Sequence, residues 1–183
     1  MSTVEEVTVR AATPADPPHL PDIEDAAGNL FAGIGMPEVA DMPARDVESH
    51  CAAQAMGLLW VADAGSAGIV GFALAEAFAE SLHLAELSVA PSHGRRGIGA
   101  ALVGRVANDA IARGYSQLTL STFADVPWNA PFYRRLGFDV MAVADLPAEL
   151  QAVRTQEAKV GLALEDRVIM RRTLSRRSRA GGE

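Results

Sequence analysis

Apolar and polar positions alternate with period two in several short stretches of the chain and recur every three to four residues in others, which predicts strands interleaved with helices. Val4 to Arg10 reads as a first strand at a sheet edge, broken by Thr13-Pro14 and Pro17-Pro18. Leu20, Ile23, Ala27, Leu30 and Phe31 then fall at helical spacing over residues 19–31. The stretch Gly33 to Pro43, with its glycines and prolines, reads as a mobile loop. A second helix fits Asp46 to Met56. Leu58 to Ala62 and Ile69 to Leu74 read as strands flanking the turn Asp63-Ala64-Gly65-Ser66-Ala67-Gly68, a hairpin.

The second half opens with a strand from Leu82 to Val89, the turn Pro91 to Gly99, and a helix to Arg113 that Gly114 is placed to cap. Leu102, Val106 and Ala110, with Val103, Ala107 and Ile111 beside them, make an apolar stripe that should face a sheet. Gln117 to Phe123 follows as a strand with Leu118, Leu120 and Thr122 on one face. A short helix over Asn129–Leu136, a strand from Gly137-Phe138, a helix over 147–160 and a final strand from Arg167 to Leu174 complete the pattern. The final strand offers an exposed edge that allows a dimer. The expected architecture is one α+β domain with a mixed sheet over residues 1–174. Residues 175–183 read as a frayed polar tail rather than a nucleic-acid arm.

Composition narrows the class. The 183 residues are 49% hydrophobic and 21% charged, a balance that suits one packed core. Asp and Glu number 23 against 16 Lys and Arg, so the net charge of −7 removes the electrostatic footprint of general nucleic-acid binding. Charge is unevenly placed: residues 1–90 carry 14 acids and only Arg10 and Arg45, 2 − 14 = −12, whereas residues 91–183 carry 14 bases and 9 acids, 14 − 9 = +5. An anionic cofactor belongs on the second half.

No apolar run approaches the roughly 20 residues of a membrane span, and Met1-Ser2-Thr3-Val4-Glu5-Glu6 lacks a signal peptide's basic start and apolar stretch. The expectation is a cytoplasmic protein with no membrane partner. The single cysteine, Cys51, excludes an internal disulfide and a thiolate zinc site, and no metal is expected. Cys51 reads as a small buried hydrophobe, with the adjacent His50 pointing away from it.

The strongest chemical signal is the strand–turn–helix at residues 82–113. Gly94, Gly97 and Gly99 let backbone N–H groups approach a ligand at a helix N-terminus, an arrangement that suits a pyrophosphate, and Arg95 and Arg96 can add charged contacts. It is not a P-loop, because the only lysine, Lys159, is far away. It is a poor dinucleotide fingerprint, since Leu102 stands where a third Gly or Ala is required, leaving a nicotinamide-dependent oxidoreductase as a weaker competitor.

The segment Gly94-Arg95-Arg96-Gly97-Ile98-Gly99-Ala100 resembles the acetyl-CoA signature of the GCN5-related N-acetyltransferases (GNAT), with Gly94 standing where Arg or Gln is usual. Asn129-Ala130-Pro131-Phe132-Tyr133-Arg134-Arg135-Leu136-Gly137-Phe138 resembles the same family's later helix, and Val9 to Asp16 its first strand and turn. The resemblance implies an acyl-CoA N-acyltransferase fold, with a mixed, mostly antiparallel central sheet flanked by helices. It further implies direct attack of a primary amine on acetyl-CoA in a ternary complex, and it makes a homodimer plausible.

By the same resemblance, Gly94 through Ala100, Asn129 and Phe132 would bind coenzyme A. Backbone groups at Leu87 and Val89 would pair with its pantetheine arm, and Tyr133 would protonate the leaving thiolate. A tyrosine with an ordinary pKa of about 10 is protonated at neutral pH and can donate. An alkyl amine is neutral in only about one molecule in two thousand at pH 7, so a base is wanted. Glu86, on the strand entering the turn, is the candidate base, with His83 or a water chain as alternatives. His93 and Trp128 are weaker candidates for phosphate and substrate contact. The acceptor, a small-molecule or peptide amine, would meet residues 20–56, whose acids suit a cation. A non-catalytic sensor of acyl-CoA on the same fold is the alternative.

Overall fold

The computed structural model describes residues 6–175, which form two compact units, residues 6–76 with Leu84–Val106, and Ala77–His83 with residues 107–175. In the first unit β1 (Thr8–Ala11) pairs antiparallel with β2 (Leu59–Asp63), Thr8 facing Asp63 and Ala11 facing Trp60. β2 pairs antiparallel with β3 (Ile69–Ala77), and the register slips between Ala62 and Asp63. The neighbour of β3 is β4 (Ser81–Val89). Gly71 on β3 is required by this packing: a Cβ there would lie 2.9 Å from the Ser88 carbonyl oxygen of β4. Three helices accompany these strands: α1 (Leu20–Gly28), α2 (Pro37–Ala40) and α3 (Val47–Ala55). Leu20, Ile23 and Ala53 from the helices bury against Leu59, Val61, Phe72 and Leu74 from the strands.

α4 (Ile98–Ala112) supplies residues to both units, and Leu102, Val103, Val106, Ala107 and Ala110 are buried as its stripe predicts. Its end follows the expected cap. Gly114 has φ +91°, its N–H donates to the Ile111 carbonyl, and the Tyr115 N–H donates to the Ala110 carbonyl.

The second unit holds the first residues of β4 and then β5 (Gln117–Phe123), β7 (Arg167–Thr173) and β6 (Asp139–Val140), in that order across the sheet. β7 pairs antiparallel with both of its neighbours. α5 (Ala130–Arg135) and α6 (Ala148–Lys159) complete it, with Leu146, Leu150 and Ile169 buried beside Phe78, Met141 and Val153. Seven strands of a mixed sheet, flanked by helices, are the architecture the sequence predicts.

Three local expectations are corrected. The stretch Gly33 to Pro43 is not a plain loop: a 3-10 turn runs to Ile34, and Pro37, whose fixed φ suits a helix start, opens α2. β7 is not the last strand of the sheet: the two-residue β6 lies beyond it, opposite Met170 and Arg171. β5 buries Leu118, Leu120 and Thr122 on the face expected, and Thr119 and Phe123 on the other. Cys51 is exposed, on the side of α3 away from the buried His50. The tail predicted over 175–183 lies outside the described residues from 176 onward.

The β1-to-α1 connection is fastened by charge. The Asp16 carboxylate, buried, accepts from both Arg10 terminal nitrogens at 2.8 and 3.0 Å, and from the Thr13 N–H and hydroxyl at 2.6 and 2.9 Å. The Arg10 bonds, aided by those from Thr13, hold the Asp16 carboxyl at about 2. A carboxylate whose folded value is depressed stabilises the fold above its unfolded value and loses that stabilisation as pH falls through the folded one. Asp16→Asn is therefore expected to cost roughly 2 kcal/mol at pH 7. In urea denaturation series the deficit should close as pH falls from 3.8 to about 2.

Candidate active site

The first unit carries Glu86, Leu87, Val89 and the glycine turn, and the second carries Asn129, Phe132 and Tyr133. β4 is buried from Ser81 to Leu84 and half-buried from Ala85 to Leu87, Glu86 among them. Its Oε1 accepts the Ser88 hydroxyl at 2.9 Å and the Leu87 N–H at 3.1 Å. Glu86 and Ser88 thus share a face, as regular pleating predicts. The Leu87 N–H, expected to serve a pantetheine arm, is occupied by this carboxylate. Burial, and next the negative charge of Glu24, push the Glu86 carboxyl above the usual range, and the bond from Ser88, the Arg45 charge and the Leu87 N–H oppose them.

His83 has a structural setting. It is buried, its Nδ1 lies 3.0 Å from the Thr119 hydroxyl, and its ring stacks on Phe78 at 5.0 Å.

The turn after β4 adopts left-handed backbone twice, at Arg95 (φ +60°) and Gly97 (φ +80°). Arg95 is the one non-glycine residue with positive φ among the described residues. That conformation is uncommon for a residue with a Cβ, and such residues concentrate where backbone N–H groups are turned toward a ligand. Gly94, Arg95, Arg96 and Gly97 are exposed, Gly99 and Ala100 half-buried, and Ile98 buried as the anchor of α4. A Cβ at Gly97 would project into open space. His93 sits beside this turn, with its Nδ1 3.0 Å from the Ser92 hydroxyl.

In the second unit, Pro131 lies in the first turn of α5, and Gly137, at φ +85°, follows its end. The Asn129 side chain does not cap the helix: its Nδ2 donates to the Thr122 hydroxyl at 2.6 Å. Its Oδ1 is sealed from solvent without a hydrogen-bond partner among the described residues, an acceptor that an N–H of a ligand would satisfy. Tyr133 is 8% exposed, wedged edge-on between Phe132 at 5.1 Å and Phe138 at 5.7 Å. Trp128, 39% exposed, precedes the helix.

The surroundings of Glu86 were legible only in part: Glu24 of α1 is one of the acids expected to serve the acceptor along residues 20–56, whereas Arg45, before α3, and His50 of α3 come from segments distant in sequence that no local spacing marks. The described residues contain no group of three or more side chains able to hold a metal ion, and no helix long and apolar enough to cross a membrane.

Residues 55–140 match the model of the acetyltransferase (GNAT) domain. Among solved structures, the chain is similar to N-acetylglutamate synthase from Neisseria gonorrhoeae in complex with coenzyme A and N-acetyl-glutamate, with TM-score 0.69 and 19% identity, covering 96% of this chain and 37% of that one. It is also similar to the PaiA N-acetyltransferase from Thermoplasma acidophilum in complex with coenzyme A, with TM-score 0.66 and 16% identity over 92% and 99% of the two chains. A third, the ribosomal-protein-S18-alanine N-acetyltransferase from Escherichia coli, has TM-score 0.65 and 17% identity over 97% and 100%.

Because the Ser88 hydroxyl favours the ionised form of Glu86, Ser88→Ala should move the Glu86 carboxyl still higher. Carbon-13 NMR titration of the Glu86 carboxyl reads this directly.

Proposed function

We propose that this chain, whose residues 55–140 match the acetyltransferase (GNAT) domain, is an acetyl-CoA-dependent N-acetyltransferase acting on a primary amine. The observation that carries the reading is the turn at 94–99. Left-handed backbone at Arg95 and Gly97 leads into a 15-residue helix, with two exposed arginines beside it. That is the donor set a pyrophosphate needs: backbone N–H groups, the positive end of a helix and guanidinium charge.

Acetyl-CoA, when bound, supplies the acetyl thioester. Gly94 through Ala100 hold its phosphates in this reading, and Asn129 Oδ1 accepts an N–H from its pantetheine arm, which is the partner that buried oxygen lacks. Leu87 and Val89 border the same arm through their backbone. The Leu87 N–H reaches it once the Glu86 carboxylate, its present partner, turns toward the amine. Phe132 flanks Tyr133 and fixes its ring.

Glu86 removes the proton that an alkylammonium must lose before its nitrogen can attack, and its raised affinity for protons favours that transfer. Tyr133 donates its hydroxyl proton to the departing thiolate. The aromatic wedge around it limits rotation of the ring and keeps the donor placed.

Calorimetric titration of acetyl-CoA into wild type and Gly97→Trp, with thiol release measured over a panel of amines, tests this. An indole at residue 97 would occupy the open space before the turn and meet a backbone at φ +80°, so binding should be lost. Tyr133→Phe should bind acetyl-CoA normally and turn over about 100-fold or more slowly. Binding without turnover on any amine would favour a sensor, and absence of binding would overturn the reading.

A further inference from the structure

β5 carries polar side chains on both of its faces. On one face the Thr122 hydroxyl meets Asn129, the residue that holds the pantetheine arm in the reading above. Side chains alternate along a strand, so Ser121 and Phe123 point the other way, and their antiparallel partners on β7, Ile169 and Arg167, share that second face. There the Arg167 guanidinium lies over the Phe123 ring, 4.6 Å from its centroid. Its Nε and Nη2 both donate to Oε1 of Glu157 on α6, at 3.0 and 2.7 Å, and Nη2 also donates to the Ser121 hydroxyl at 3.2 Å.

As a device for holding α6 down, this ion pair is a poor one. Glu157 Oε2 is sealed from solvent and accepts nothing among the described residues, although a fork spanning both oxygens would have satisfied it. A buried pair with half its carboxylate unmet contributes little stability. What the arrangement does is fix the guanidinium plane and leave donors unused. Nη1 makes no hydrogen bond among the described residues, where the sealed side-chain atoms without partners belong to Glu24, His50, Asn129 and Glu157, so Nη1 is an open donor. Ser121, half-buried, accepts from Arg167, and its own proton has no acceptor there. Charge points the same way. Arg154 of α6 donates to the Arg167 and Leu164 carbonyls at 3.4 Å, so two guanidiniums stand here against the one carboxylate of Glu157. The acids near in sequence, Asp125, Glu165 and Asp166, are exposed and make no ion pair with Arg167.

We propose that Arg167 Nη1 and the Ser121 hydroxyl receive a carboxylate carried by the acceptor, which makes amino acids, rather than simple amines, the substrate class. This rests on the amine-acetylating reading above. In that reading the thioester arm is held from the Thr122 and Asn129 side of β5, and the amine has to come to it from another side. The opposite face of the same strand supplies two open donors and an excess of positive charge. An ammonium group, itself only a donor, has no use for them. A carboxylate has about four lone-pair sites, and its bonds to charged donors are roughly twice as strong as neutral ones. Phe123 and Glu157 keep the guanidinium from turning, so little freedom is lost when the carboxylate arrives. The carboxylate is bound and released unchanged, and the transfer itself involves only the amine and the thioester.

The test compares acetyl transfer to the common amino acids with transfer to the matching amino acid amides, in the full-length protein at saturating acetyl-CoA. Wild type should favour the acid of its best pair by roughly tenfold or more in kcat/KM, although the amide is the less basic amine and more of it is neutral at pH 7. Arg167→Gln should remove that preference through KM more than through kcat, and Arg167→Lys, which keeps a cation, should restore part of it. Ser121→Ala leaves the Glu157 pair in place and supplies the variant that does not depend on folding without the arginine; it should reduce the preference severalfold. Independently, N-acetylglycinate should shift the Arg167 Nε–H signal in nitrogen-15 NMR of the wild type, and N-acetylglycinamide should not. Equal rates on acids and amides in the wild type, equal losses on both in the variants, as a purely structural pair would give, or an Arg167 signal indifferent to the acid would overturn the proposal. Transfer without preference would do so while leaving the transferase reading intact. A carboxylate-dependent Arg167 shift with no transfer to any amine would sink that reading and leave the carboxylate site standing.

Discussion

β4 has to be core at one end and chemistry at the other, and much of the arrangement follows from that demand. Ser81 through Leu84 are buried, and the His83 bond to Thr119 and stack on Phe78 tie this end into the second unit. Three residues later the strand must hold a carboxylate in a place that disfavours its charge. The backbone of β3 presses close at Gly71, where no side chain fits, so the strand carrying Glu86 cannot drift away from its neighbour. A side chain held this way gives up little freedom when it meets a ligand, which is the physical content of preorganisation.

The uneven charge of the chain gains meaning from the fold. The acid-rich first half builds the surroundings of Glu86, including Glu24, which raises it, and the carboxylates that bind the 44–46 segment: Asp25 accepts the Ala44 N–H, Glu24 the Arg45 N–H, and Asp46 caps α3 through the Ser49 N–H. These acids are structural ties as much as a field, and replacing them in bulk would loosen the segment along with its potential. The glycine turn, by contrast, has its charge on exposed arginines, free of the packing that constrains Glu86.

The parts legible in the sequence were those governed by local rules. The α4 stripe is buried along its length because a 3.6-residue repeat needs no knowledge of what it packs against. α5 has its predicted position since Pro131 and Gly137 mark its ends chemically. The 94–99 turn was visible from its glycines, although the left-handed Arg95 was not. Sheet order was out of reach: β7 reads as a terminal strand, and only its pairing with two-residue β6 makes it interior. Burial of β5 on both faces was hidden for a related reason, since Thr119 is polar and is satisfied by His83 from another strand. The burial of His50 and its approach to Glu24 stayed unread because they are contacts across a long sequence separation, and a polar residue on a helix gives no sign that it is enclosed.

The two border strands of the sheet are very short, four residues in β1 and two in β6. A strand border recruits another chain by offering a row of unpaired N–H and C=O groups, and its power to do so grows with its length. Borders of this size offer only a few such groups. Growth of the sheet by adding strands is therefore self-limiting at either margin, and a newly made chain gains little from templating on a folded one.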